Sequence, residues 1–161
     1  MPGSRGIWLW IAGVGLFAAV AAAAFYAAWP ILNPRIVAAA PLDPTCDLRH
    51  GACVATLPNG GRVRFALEPK GLPLLEPLAI EVRVEGLRAL GVEVDFAGVD
   101  MNMGYNRPAL LADGTGRYVG KTVLPVCVRQ RMDWEARVLV RTPDGLMAAP
   151  FRFSTYKQKG G

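Results

Sequence analysis

The sequence predicts an all-β antiparallel sandwich carried behind one apolar helix, and three observations lead there. Ile7 to Trp29 contains no charged residue. Beyond it, short stretches of strict apolar–polar alternation recur, the mark of strands with one buried face. Between them, Pro, Gly and Asn fall at the intervals of turns in β-sandwiches. The chain has 161 residues, room for an anchor and one domain of about 115 residues with a core of its own.

The apolar run "IWLWIAGVGLFAAVAAAAFYAAW" comes first. As a helix it reaches about 34 Å at roughly 1.5 Å per residue, enough for a hydrocarbon core of about 30 Å. Trp8 and Trp10 lie near one end, Tyr26 and Trp29 near the other, where interfacial aromatics belong. Pro30 and Pro34 are expected to stop it. A cleaved signal peptide is the rival reading, with an A-x-A pattern at Ala38 and Ala40. The run far exceeds an h-region of roughly 7–15 residues, and Pro41 would follow the cut. An uncleaved signal anchor over 7–32 is favoured, with 1–6 as a cytoplasmic tail. A leading span followed by a whole domain is expected to place that domain outside the cytoplasm, which is the periplasm, with the anchor in the inner membrane, if the source is a Gram-negative bacterium.

Residues 33–44, rich in Pro and Ala without periodicity, read as a linker. The domain then runs over 45–155. Cys53 to Leu57 and Arg62 to Leu67 flank Asn59-Gly60, a hairpin signal because that pair supplies positive φ. In "LAIEVRVEG", Ile80, Val82 and Val84 face inward against Glu81, Arg83 and Glu85; "GVEVDF" repeats the pattern with Glu93 and Asp95 outward. Arg117 to Leu124, Trp134 to Arg141 and Leu146 to Thr155 are further strands, and 156–161 is a flexible tail. About seven short strands make an immunoglobulin-like or cupredoxin-like sandwich the best fit.

Several function classes are disfavoured. His50 is the sole histidine, so one chain supplies neither a Ser-His-Asp triad nor a multi-histidine metal site. No Gly-rich phosphate loop precedes a helix, and the expectation is a protein that is not an enzyme. The net charge of +5 is dispersed without basic runs, so nucleic acid is not indicated; a mildly basic face near anionic lipid is the plainer reading.

What remains is sulfur. Continued past Phe96, the strand register puts Met101 and Met103 on the side of Glu93 and Asp95, both pointing away from the core if no bulge intervenes at Gly98. Thioethers at i and i+2 of extended chain lie about 7 Å apart at Cα. They are soft, uncharged donors that suit Cu(I), and Cys127 or His50 could complete a three-coordinate shell. Loop packing is the bland alternative, since Met fills gaps. Cys46 and Cys53 have two readings as well: a disulfide stapling the linker to the first strand, or, with His50 between them, a secondary metal-capture segment. Cys127 is then the odd cysteine, either a buried inert thiol or a ligand. Met132 and Trp134 share the core parity of their strand, which makes Met132 packing.

The passage "DMNMG…ADGTGRYVGKTVLP" resembles the FixH and YtkA-like membrane-anchored domains, in which an "M-x-M-G" loop is followed by "G-x-G-x-Y-x-G" and a strand. The resemblance covers about half the domain. It implies an immunoglobulin-like fold, copper(I) handling or assembly of a respiratory haem-copper oxidase, and a membrane complex or copper-accepting protein as partner. Met101 and Met103 match as ligands, with Tyr118 and Gly120 as structural positions. The Cys46/Cys53 pair and Cys127 depart from that pattern. A non-metal accessory subunit, whose sandwich is a protein–protein interaction module, is the second expectation.

Overall fold

The computed structural model describes residues 4–32, 35–125 and 129–157. It contains two compact units, 1–35 and 36–161. The first is helix α1 (Ser4–Leu32). Its backbone continues two residues past Pro30, because a proline in the last turn removes one hydrogen bond without forcing the chain out of helical φ. Trp8–Trp29 is long and apolar enough to cross a bilayer, and the helix fits a single-pass anchor or a signal sequence.

The second unit is built from β1 (Ile36–Ala39), β2 (Cys53–Thr56), β3 (Arg62–Glu68), β4 (Pro77–Glu85), β5 (Gly91–Gly98), β6 (Leu111–Ala112), β7 (Arg117–Val123), β8 (Arg131–Thr142) and β9 (Gly145–Tyr156). They form a four-stranded sheet in the order β1-β9-β8-β5 and a five-stranded sheet in the order β2-β3-β4-β7-β6. Their buried faces share one core. Phe65 of β3 and Phe151 of β9 meet across it with ring centroids 5.2 Å apart. Trp134 is sealed inside and donates its indole N–H to the Thr155 hydroxyl at 2.9 Å, satisfying a buried donor.

Alternation explains most elements. In β4 the inward Leu78, Ile80, Val82 and Val84 are all buried, and the Asn59-Gly60 turn closes β2 onto β3 with Gly60 at φ 84°. Three expectations need correction. Ile36–Ala39, inside the stretch read as a linker, pairs in parallel with β9; backbone hydrogen bonding uses it as an edge strand despite its weak alternation. The described strands number nine rather than about seven, because β1 and the two-residue β6 carry too little pattern to read. Asp95, expected outward, is buried. It lies on the outer face of its sheet, but Arg107 and Arg137 close over it with N–O distances of 3.2 and 2.7 Å.

The free edge of β5 is covered by its own chain. After a loop, 106–110 returns antiparallel to it: Phe96 N donates to Asn106 O, Val94 N to Pro108 O, and Leu110 N to Val92 O. The chain then crosses to the other sheet as β6. A covered edge leaves no unpaired ladder to recruit another strand, and the loop before it, 99–105, becomes a tip at one end of the domain.

Candidate functional site

That tip carries the Asp-Met-Asn-Met-Gly sequence. Strand β5 ends at Gly98 and the chain bends over 99–101. Val99 N donates to the Asp133 carbonyl of β8 at 3.0 Å. The Asp100 carboxylate lies 3.6 Å from the Arg129 guanidinium. The Asn102 side-chain oxygen accepts from Gly104 N at 2.8 Å, and Gly104 adopts φ 82°, a left-handed position that a side chain would strain.

These bends overturn the expected register. Met101 and Met103 do not point away from the core together; both are half-buried and pack against it. Alternation holds only while the chain stays extended, and here it stops three residues before Met101. The structure does keep the two side by side: both line one cleft of about 430 Å³, formed by residues 97–104.

Gly98 shows how closely this region is built. The position of a β-carbon there lies 2.5 Å from the Met101 carbonyl oxygen, 2.6 Å from Met132 Cε and 2.9 Å from Met103 Cγ. No other residue fits without moving them. Met132 thus reaches the base of the loop from β8, a neighbour that alternation alone classes as ordinary core.

Cys46, Cys53 and His50 are not among the residues that line the cleft. Cys46 and Cys53 form a disulfide with Cα atoms 5.7 Å apart, so in this state neither sulfur is a thiolate ligand. His50 projects from the loop they close, with its side chain 81 % exposed and Nδ1 3.0 Å from Asp47 Oδ2. It does not line the methionine cleft. Asp47 is held well below the usual carboxylate range, first by its hydrogen bonds from Arg49. Cys127 lies outside the described residues. Among the described residues no three His, Cys, Asp or Glu side chains group so as to hold a metal; among those residues the soft donors at the cleft are thioethers.

A second feature was not legible in the sequence. On the outer face of the five-stranded sheet, cross-strand register aligns Arg64, Arg83 and Arg117. Glu81 sits among them, accepting from Arg117 at 2.8 and 3.1 Å and from Arg83 at 2.9 Å, and these bonds hold its carboxyl below the ordinary value. Beside it Ala66, Ala79, Val119, Lys70 and Lys121 line a groove of about 830 Å³, which Glu68 also lines, its carboxylate 3.0 Å from the Lys70 ammonium. The "GTGRYVG" passage borders this face for structural reasons: Gly120 abuts Leu110, and the half-buried Tyr118 donates its hydroxyl to the Ala89 carbonyl at 3.4 Å.

No family model, curated protein or solved structure matches this chain.

Proposed function

We propose that this protein is a single-pass, inner-membrane-anchored periplasmic domain with an immunoglobulin-like or cupredoxin-like sandwich fold, which binds copper(I) as cargo and supports assembly of a membrane metalloenzyme. It performs no catalysis of its own; its partners are a copper-accepting protein or a respiratory oxidase complex. The observation that carries the reading is the shared cleft of Met101 and Met103. The two thioethers sit at an exposed tip, on a loop fixed by the Asn102–Gly104 turn and the Val99–Asp133 hydrogen bond.

The chemistry is ligand exchange. Thioethers are soft and neutral, so they discriminate for Cu(I) against Zn(II) and hard cations. A shell of few neutral donors at a surface cleft holds the ion weakly enough to surrender it to a site with thiolate or imidazole. Half-burial of both side chains limits the solvent-facing side of the ion, so a partner would approach from the open mouth of the cleft.

The test is Cu(I) uptake by the full-length chain in detergent, without oxygen and with ascorbate, against a colorimetric chelator. Replacing Met101 and Met103 together by Leu preserves packing volume. It is expected to weaken uptake by more than the roughly 10–100-fold that loss of even a supporting group costs a metal site. Unchanged uptake, or none in the parent chain, overturns the reading.

The basic groove favours a second reading, an interaction module of a membrane complex that uses no metal. Lys70→Glu with Lys121→Glu would then abolish co-purification with the complex, while the Met101/Met103 variant would leave it intact.

A further inference from the structure

Met132 is 4 % exposed, on the core face of β8. Its burial needs an apolar side chain but no sulfur, since Leu has a similar volume and packs as well in most cores. What sets Met132 apart is the direction it takes. Its terminal methyl lies against Gly98, at the base of the loop, and Met103 Cγ lies against the same point. The thioether sulfur is one bond behind that methyl. Gly98 is therefore the gap through which a methionine of β8 and a methionine of the loop come together, and any larger residue there would part them.

Met103 belongs to both environments. It lines the open cleft with Met101 and touches the buried neighbourhood of Met132. Methionine has three rotatable bonds before its methyl, so turning Met132 about its last two torsions swings sulfur toward Gly98 without moving β8. Met132 and Met103 then bring two thioethers together at Gly98, beside the cleft that Met103 shares with Met101. Neutral sulfur donors in threefold array suit a soft monovalent ion, which keeps its single positive charge and displaces no proton on binding.

We propose that Met132 is the third sulfur donor of the site, completing an all-thioether shell for Cu(I) with Met101 and Met103; this rests on the copper(I) reading above. Met132 anchors the shell to the rigid β8 strand, while the two loop methionines form its exchangeable side.

The full-length chain in detergent is loaded with Cu(I) alone, under ascorbate and without oxygen. Competition against a colorimetric chelator gives affinity, and X-ray absorption at the copper edge counts the neighbours of the ion. The expected result is three sulfur neighbours in the parent chain and two in Met132→Leu, with affinity reduced roughly 10–100-fold. Cys127→Ser should match the parent in both measurements. Parent chain grown with selenomethionine should show three selenium neighbours, a measurement that needs no folded variant. Two selenium neighbours with one remaining sulfur, loss of a neighbour in Cys127→Ser, or full affinity in Met132→Leu each overturn the proposal. If Met101→Leu weakens uptake while Met132→Leu does not, this inference falls and the copper reading stands. Absence of uptake by the parent chain overturns both.

Discussion

Among the described residues two loops of this domain carry sulfur, and they use it in opposite ways. In 46–53 the sulfurs are thiols, and they are consumed by a covalent bond that ties the chain before β2 to its first residue. In 99–105 they are thioethers, which cannot cross-link and stay available as packing surface or soft donors. The first loop also holds its charge close: Asp47 accepts a paired hydrogen bond from Arg49 at 3.0 and 2.6 Å. The second is held by backbone and amide bonds and by contact with the core. The difference teaches that sulfur type decides what a loop can do only after burial decides what it can reach.

The largest expected effect tests whether the loops are independent. Cys46→Ser with Cys53→Ser should cost about 2–3 kcal/mol in denaturant or thermal unfolding, the loop-entropy share of a short disulfide, and leave Cu(I) uptake untouched. A matching loss of uptake would join the two loops into one site. Next, Gly98→Ala pushes a methyl into Met132, Met103 and the Met101 carbonyl, and overpacking of this kind costs about 1–3 kcal/mol. It should lower both unfolding stability and Cu(I) affinity, because the same three contacts serve each; a variant as stable as the parent would show that the loop base is loose. The smallest effect concerns the first loop alone. Asp47 has its pKa lowered from 3.8 by Arg49, so in acid the folded chain binds fewer protons than the unfolded one. Its contribution, about 0.2–1 kcal/mol for a pair of this exposure, is complete above the unfolded pKa and disappears as pH falls toward the folded one. Asp47→Asn should accordingly lose stability near neutral pH and show a flatter acid limb in pH-dependent unfolding.

Legibility in the sequence followed the range of the interaction. The Asn59-Gly60 turn and the alternation of β4 are local, and each was readable because positive φ and period-two burial are properties of adjacent residues. Strand β1 was missed because its only warrant is a partner, β9, more than a hundred residues away. Asp95 was placed on the right face, but its burial there was not legible for the same reason: nothing near it in sequence announces Arg137. At the loop, the sulfur content of Met101 and Met103 was plain, but their direction was not, since register cannot be carried through bends. Met132 was read as core and is core; its approach to Gly98 is a property of the β5–β8 pairing.

By itself, then, the sequence determined an apolar helix able to span a bilayer, a β-rich domain behind it, and a loop that carries two thioethers. Those follow from composition and short periods, which need no partner. The tertiary structure alone decided that two sheets share the core, that two methionines turn back against it into one cleft, and that a third meets them at a glycine. Such meetings depend on which strands pair and where the chain bends, and no window of adjacent residues contains that information.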